Sequence, residues 1–229
     1  MRVAVPQFWG SNCDQDALHS LRDDLGVQAS YVWYEETSLA SFDGVFIPGG
    51  FSYGDYLRCG AIAARAPVMD AIRDMAQAGA PILGVCNGFQ ILCEAGLLPG
   101  ALLRNESQRF NCRDVFVRAA QQDSLWTRGI EGVLRLPIAH MDGRYVCDAE
   151  TLRELRAEHR IAYVYCTREG RLDPTANPNG SLLNVAGILN VKGNVLGMMP
   201  HPERATRKSF GYEDGLRVLS AFTRANIAV

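Results

Sequence analysis

The sequence has no long apolar run and no block of positive charge. A membrane-spanning helix needs about 18 or more consecutive apolar residues, and no such run occurs in the 229 residues. The 23 lysines and arginines face 25 aspartates and glutamates. This balance excludes a strongly basic nucleic-acid-binding protein, so we expect no membrane or nucleic acid among the partners.

The sequence also lacks paired cysteines. Its seven cysteines are an odd number and contain no Cys-x-x-Cys pair, which argues against a disulfide scaffold and against a metal site. The apolar stretch at Met1–Pro6 is too short for a signal peptide. Together, these absences predict a protein of the reducing cytoplasm.

A phosphate-binding loop of the Gly-x-x-x-x-Gly-Lys-Ser/Thr type is missing as well. The chain has only two lysines, Lys192 and Lys208, and no obvious carboxylate cluster for magnesium. We therefore expect no cofactor in this chain.

Apolar residues make up 48% of the sequence, enough for a core without disulfides or metals. In the first half, short apolar runs alternate with amphipathic segments. The alternation predicts an α/β fold with a mostly parallel sheet, helices on both faces and additional strands in the second half. No repeat or linker interrupts it, so we expect residues 1–229 to form a single domain.

The predicted strands are Val3–Val5, Ala29–Tyr34, Gly44–Ile47, Pro81–Val85, Asp114–Arg118, Val133–Ile138, Ile161–Cys166, Gly187–Val191 and Val195–Met199. Apolar residues at helical spacing predict helices ending near Gly26 and Gly79, a helix over Phe89–Ala95, one around Leu155 and a last one through Leu219.

The segment Gly84-Val85-Cys86-Asn87-Gly88 lies where a predicted strand meets a predicted helix. Its Gly-x-Cys-x-Gly pattern is the thiol counterpart of the nucleophile elbow, a sharp and strained turn. The helix that follows favours the thiolate and lowers the pKa of Cys86, and the Asn87 N–H becomes an oxyanion donor. The simpler interpretation is a buried apolar side chain beside a tight turn.

A thiolate nucleophile usually works with a histidine, and the chain has four. We expect His19 and His159 to be solvated. His201 follows a predicted strand in Pro200-His201-Pro202-Glu203, a turn that two prolines stiffen. Residues two apart in an extended chain project to the same side, so Glu203 can orient the His201 ring as the third member of a triad. A rigid surface turn is the simpler interpretation, and His140 is the rival base.

Gly84–Gln90 together with His201–Glu203 resembles the class I, triad-type glutamine amidotransferases. Longer blocks, from about Gly44 to Arg204, resemble the glutaminase subunits of phosphoribosylformylglycinamidine synthases. These blocks are Pro48–Gly60, Asn87–Leu92, Asn177–Ser181 and Gly193–Arg204. The triad alone indicates the superfamily, whereas the long blocks are specific to the narrower family.

The resemblance implies a flavodoxin-like fold and an enzyme that hydrolyses L-glutamine to glutamate and ammonia through a thioester on Cys86. In that mechanism His201 protonates the departing ammonia and Glu203 orients His201. The residues implied to bind the oxyanion or the substrate are Gly49, Gly50, Asn87, Gln90, Asn105 and Ser107.

The resemblance also implies partners. Ammonia passes to a separate large synthetase subunit, which uses ATP and magnesium to convert formylglycinamide ribonucleotide to formylglycinamidine ribonucleotide in purine biosynthesis. A third small subunit is usual where the glutaminase is a separate chain.

One segment departs from the family pattern, and two alternative functions stay open. His140-Met141-Asp142-Gly143 stands where the family has His-Gly-Glu-Gly. The first alternative is a cysteine hydrolase of the related flavodoxin-like protease and chaperone class, although those proteins typically have a histidine where this chain has Asn87. The second is a non-catalytic interaction subunit, against which the intact triad argues.

Overall fold

The computed structural model describes residues 1–225, so residues 226–229 of the expected single domain lie outside the described residues. The strands are β1 (Arg2–Gln7), β2 (Gln28–Trp33), β3 (Gly44–Ile47), β4 (Ile82–Val85), β5 (Ala101–Leu103), β6 (Asn111–Ala119), β7 (Val133–His140), β8 (Arg144–Val146), β9 (Ile161–Cys166), β10 (Val185–Leu189) and β11 (Val195–Met198). The α-helices are α1 (Asp14–His19), α2 (Val68–Ala78), α3 (Asn87–Glu94), α4 (Ala149–Ala157), α5 (Gly215–Leu219) and α6 (Ala221–Arg224).

Nine strands form one mixed sheet in the order β2-β1-β3-β4-β11-β10-β9-β6-β7. The first five run parallel to one another, and the other four extend the sheet with antiparallel pairings. This confirms the predicted α/β fold, with its parallel strands in the first half and additional strands in the second.

The central strands β3 and β4 are buried along their whole length, because a continuous apolar strand needs cover on both faces of the sheet. Gly79 ends α2 in a left-handed conformation (φ 89°), as its place after an apolar stripe predicts. None of the helices within residues 1–225 is both long and apolar enough to span a bilayer.

The parallel strands bring three distant segments of the chain to one edge of the sheet. In the register of β4, Gly84 pairs with Ile47 of β3 and Val85 pairs with Met198 of β11. The chain leaves these strands at Gly49-Gly50, at Cys86 and, just beyond β11, at His201. Ligands bind outside the carboxyl ends of such strands, so the topology places the predicted site segments where a ligand can reach them.

The C-terminal end of β7 lies near the carboxyl ends of the parallel strands, although β7 is the edge strand on the other side of the sheet. The N–H of His201 donates to the carbonyl of Pro137 at 2.8 Å. We predicted this strand only as far as Ile138, whereas it continues to His140. The small antiparallel pair of β5 and β8 was not predicted, because three-residue strands are too short to carry a periodic signal.

Gly88→Ala should destabilise the protein, because the added Cβ would lie 2.1 Å from the carbonyl oxygen of Ile47. We expect the free energy of unfolding to fall by about 3 kcal/mol or more, since backbone must move. Gly96→Ala is the control at the other end of α3. Its Cβ meets nothing within 4 Å, and its left-handed backbone alone costs about 1–2 kcal/mol. Urea unfolding measures both losses, and equal losses would contradict the close approach of α3 to β3.

Candidate active site

Cys86 lies between the end of β4 and the start of α3 in a strained conformation, with φ 52° and ψ −106°. Its N–H donates to the carbonyl of Met198 at 2.8 Å, which ties the turn to β11. Few non-glycine residues adopt a positive φ, and those that do cluster at functional sites. The predicted strand–elbow–helix arrangement is confirmed.

The glycines on either side of Cys86 are needed because of close packing. A Cβ at Gly84 would lie 2.5 Å from the side chain of Leu92, and one at Gly88 would meet the carbonyl of Ile47. The turn can therefore form only where both flanking side chains are absent.

His201 and Glu203 form a buried pair. Nδ1 of His201 lies 2.6 Å from Oε1 of Glu203, and both side chains are at most 2% exposed. Nε2 of His201 and Oε2 of Glu203 have no hydrogen-bond partner among the described residues. A carboxylate accepts from Nδ1–H, so Nε2 is left free to act as a base.

Gly49 marks the point where the thiol and the imidazole meet. A Cβ on Gly49 would lie 2.8 Å from Cε1 of His201, 3.1 Å from Sγ of Cys13 and 3.4 Å from Cβ of Cys86. These three side chains therefore surround one small space, and only glycine fits beside them.

Burial raises the pKa of the Cys86 thiol, with Cys13 and Glu203 adding to the rise, while the backbone amide of Asn87 opposes it. The expectation of a lowered pKa was wrong, because the cost of removing a thiolate from water exceeds the help from the helix. The sulfur lies 3.8 Å from the carbonyl oxygen of Ala139 and has no hydrogen bond to His201 within the described residues. Such bonds are often long before substrate binds.

A pocket of about 170 Å³ opens onto these groups. Its size is below the ~300–1,000 Å³ of drug-sized sites, which suits a ligand as small as an amino acid. The lining residues are Asn12, Cys13, Gly50, Phe51, Asp55, Cys59, Cys86, Gln90, Phe110, Ala139, His140, Met141, Asp142, His201 and Arg204.

A larger cavity of about 680 Å³ lies beside Asp43, Pro81 and Asn194. These residues precede β3, β4 and β11, so the cavity lies at the amino ends of the parallel strands. The smaller pocket is the candidate site because it alone, of the two, adjoins the thiol and the buried imidazole–carboxylate pair.

Cys13 and Arg204 belong to the site although sequence reasoning missed them. Nη2 of Arg204 donates to Sγ of Cys13 at 3.0 Å, and burial together with Glu203 raises the pKa of Cys13 to about 12. Cys13, His201 and Glu203 offer ligand atoms within 4.8 Å of one another. In this structure His201 is hydrogen-bonded to Glu203, and Cys13 is hydrogen-bonded to Arg204. These side chains are therefore paired with one another. In the sequence, the position of Arg204 directly after Glu203 could have indicated that it lies at the site.

Three of the predicted substrate or oxyanion residues adjoin the pocket. Gly50 and Gln90 line it, and the amide of Asn87 hydrogen-bonds to Cys86. The side chain of Asn87 donates to Gln90 at 2.9 Å, and Gln90 donates to the carbonyl of Asp142 at 2.7 Å. Gln90 therefore ties α3 to the loop after β7.

Asn105 and Ser107 are not among the pocket-lining residues. Ser107 is exposed, and its hydroxyl accepts only a 3.4 Å bond from the N–H of Arg109 among the described residues. Asn105 is fully buried and lies behind His140, with its Oδ1 3.1 Å from Nδ1 of that ring. Its contacts with pocket-lining residues are to His140 and to the carbonyl of Met141, to which its N–H donates at 2.8 Å.

His140, the rival base, lines the pocket and is 2% exposed. Burial lowers its pKa to about 4, with His201 contributing. His19 and His159 are exposed, as predicted. The ring of His140 packs against Gly143, where an added Cβ would lie 2.3 Å from it, so this glycine of the departing segment is needed sterically.

The family model of the CobB/CobQ-like glutamine amidotransferase domain matches residues 1–212. The chain belongs to this glutamine amidotransferase family. The resemblance that the triad residues and the longer blocks suggested is therefore confirmed at the level of the family.

Relatives within the family match nearly the whole chain. The phosphoribosylformylglycinamidine synthase subunit PurQ of Methanosarcina acetivorans is 50% identical over 223 residues, which cover 96% of each chain. The PurQ subunit of Bradyrhizobium diazoefficiens is 55% identical over 218 residues, 94% of each. A chain in the structure of PurLQS from Thermotoga maritima has a TM-score of 0.86 and 40% identity, with 98% of both chains covered.

The likeness extends to a more distant glutaminase domain. The glutaminase domain of Trypanosoma brucei CTPS, solved with bound acivicin, has a TM-score of 0.58 and 17% identity, with 98% of this chain and 94% of that chain covered. At this identity the likeness concerns the fold alone.

The low pKa of His140 predicts a loss of stability in acid. The unfolded chain binds this proton near pH 6.5 and the folded chain only near pH 4, so stability falls as the pH drops through that window. His140 should account for about 2 kcal/mol of the loss between pH 7 and pH 4.5. Urea unfolding of His140→Gln should show that much less pH dependence than the wild type. His159→Gln is the control and should retain the full dependence.

Proposed function

We propose that this chain is the glutaminase of a phosphoribosylformylglycinamidine synthase, with Cys86 as nucleophile, His201 as base and Glu203 as the residue that orients His201. The observation that carries the proposal is the buried His201–Glu203 pair, bonded at 2.6 Å, beside the strained Cys86 at one small pocket. The relatives that match nearly the whole chain are synthase subunits, which supports the substrate assignment.

The chemistry proceeds in two halves. Nε2 of His201 takes the proton of Cys86 as the sulfur bonds to the side-chain amide carbon of glutamine. The C–N bond then breaks, and the nitrogen leaves with the proton from His201 as ammonia. Water attacks the thioester, gives a proton to His201 and releases glutamate, and the proton returns to the sulfur.

Backbone amides at Asn87 and Gly50 are proposed to stabilise the oxyanion of both tetrahedral intermediates, with Gly49 giving the sulfur room. The loss of one such donor typically costs about 3 kcal/mol. Asn105, which does not line the pocket, is proposed to act on substrate through His140 at the end of β7. Ser107, which does not line it either, is proposed to act from the exposed segment that follows Asn105.

The charges around the pocket support an amino acid as substrate. Asp55 and Asp142 line it together with Arg204. A free amino acid carries an ammonium group and a carboxylate, so both kinds of charge on the pocket wall have a partner on glutamine.

The ammonia is proposed to pass to a large synthetase subunit, where ATP and magnesium activate the ribotide. The PurLQS structure of the Thermotoga maritima relative supports an assembly with this subunit and a third small subunit. We infer that the complex is cytoplasmic, as expected for an enzyme with free thiols. No cofactor is proposed for this chain itself.

The resting geometry suggests that docking activates the site. The Cys86 sulfur lies beside the Ala139 carbonyl, and burial raises the pKa of the thiol. We therefore propose that the lone chain is a poor glutaminase until the synthetase brings the sulfur to Nε2 of His201. Robust turnover by the isolated chain would contradict this.

The remaining alternative is a cysteine hydrolase of the related protease and chaperone class. Membership of the glutamine amidotransferase family and the small charged pocket argue against it. An electrophilic glutamine analogue distinguishes the two, since capture at Cys86 supports the glutaminase, whereas peptide cleavage without capture supports the hydrolase.

Cys86→Ala should abolish glutamine-dependent synthesis by the reconstituted complex and leave ammonia-dependent synthesis unchanged, because only the glutaminase step uses the sulfur. Assays with formylglycinamide ribonucleotide, ATP and either nitrogen donor measure both activities. Cys112→Ala is the matched control at an exposed cysteine and should keep both. Survival of glutamine use in Cys86→Ala would refute the assignment.

Glu203→Gln should lower kcat for glutamine by about 10²–10⁴, because the imidazole loses the carboxylate that supports its cation. The KM for glutamine should change little, since Glu203 does not line the pocket. Steady-state kinetics of the complex separate the two constants. A raised KM at unchanged kcat would contradict the orienting role.

A further inference from the structure

The orientation of the Asn105 side chain is fixed by backbone groups that cannot exchange roles. Its Nδ2 donates to the carbonyls of Arg109 at 2.8 Å and His140 at 2.9 Å. Its Oδ1 accepts from the N–H of Gly143 at 3.2 Å. Turning the amide over would place oxygen against two carbonyls and nitrogen against an N–H, so only one orientation satisfies all three contacts.

This orientation decides which nitrogen of His140 carries the proton. Oδ1 of Asn105 lies 3.1 Å from Nδ1 of His140 and can only accept. Nδ1 must therefore be the donor, and in the neutral ring Nε2 is left with a lone pair. Burial, which lowers the pKa of His140 to about 4, keeps the ring neutral near pH 7.

The lone pair on Nε2 of His140 is buried and unused. The residue is 2% exposed, the atom has no partner among the described residues, and His140 is one of the residues that line the pocket. Leaving a buried polar atom without a partner costs about 1–3 kcal/mol. Such an atom on a pocket-lining residue indicates a ligand that donates a hydrogen bond to it once the site is occupied.

The position of His140 indicates which part of the ligand donates. The carbonyl of the preceding residue, Ala139, lies 3.8 Å from the sulfur of Cys86. In a glutaminase, the carboxamide must lie over this sulfur, so the group that reaches this part of the pocket is the –NH2 of the substrate side chain. The ammonium at the other end of the amino acid has the carboxylates of Asp55 and Asp142 available at the same pocket.

We propose that His140 is a specificity-determining residue whose Nε2 accepts a hydrogen bond from the carboxamide N–H of glutamine, with Asn105 as the positioning residue that fixes its tautomer. This inference rests on the proposed glutaminase function. The product glutamate has a carboxylate in place of the carboxamide, so it has no N–H to donate. Its carboxylate oxygens would instead repel the lone pair of Nε2. His140 therefore distinguishes the substrate from the product.

The first test is the tautomer, measured on the full chain without altering the site. In protein labelled with ¹⁵N-histidine, the His140 signal is assigned by its loss in His140→Gln. We expect a neutral ring protonated at Nδ1 at pH 7. A ring protonated at Nε2 would overturn the proposal.

The second test is calorimetric binding of L-glutamine and L-glutamate to the complex that carries Cys86→Ala, which prevents turnover. Adding His140→Leu should weaken the binding of glutamine by about tenfold to a hundredfold. The binding of glutamate should stay unchanged or become tighter. Adding His140→Gln, whose amide oxygen can accept, should restore most of the preference for glutamine. His19→Leu, at an exposed histidine, is the control and should change neither affinity.

The possible outcomes distinguish a failure of this inference from a failure of the proposed glutaminase function. Equal weakening of glutamine and glutamate would indicate a contact with the shared ammonium or a structural role, and no change would indicate no contact. Either result overturns the inference and leaves the glutaminase assignment intact. A parent complex that binds no glutamine at all would overturn both.

Discussion

The parallel pairing of β4 with β11 determines where chemistry can occur in this protein. Cys86 follows one strand and His201 lies just beyond the other, so the 114 residues of chain between them do not keep them apart in space. The N–H of Cys86 donates to Met198, which fixes the turn to the neighbouring strand as well as to its own. Gly84, Gly88 and Gly49 then leave the space in which a thiol, an imidazole and a carboxylate can meet.

The parts of this arrangement that depend on short-range patterns could be predicted from the sequence. Apolar runs predict the parallel strands, and the glycines around Cys86 predict the sharp turn at the nucleophile. The separation of His201 and Glu203 by two positions predicts their contact. Each depends on residues within a few positions of one another, where periodicity and steric limits apply directly.

The contributions of distant segments could not be predicted in the same way. The carbonyl of Ala139 reaches Cys86, and Cys13 reaches Arg204, only because the strands and loops that carry them come together in the fold. The predicted direction of the shift in the pKa of Cys86 was wrong for the same reason. The helix that follows the cysteine is visible in the sequence, whereas the side chains that exclude water from the sulfur come from other parts of the chain.

The two histidines of the site differ in the group that their Nδ1 atoms contact. His201 has a carboxylate on Nδ1, which in the proposed mechanism supports the positive charge of the ring while the C–N bond breaks. His140 has a neutral amide on Nδ1, and burial keeps it uncharged. A second cation beside the proposed base would raise the energy of its protonated form, so a neutral His140 favours the proposed role of His201. In the proposed mechanism, the residue on each Nδ1, Glu203 or Asn105, thus determines which imidazole transfers protons and which one offers Nε2 only as a hydrogen-bond acceptor.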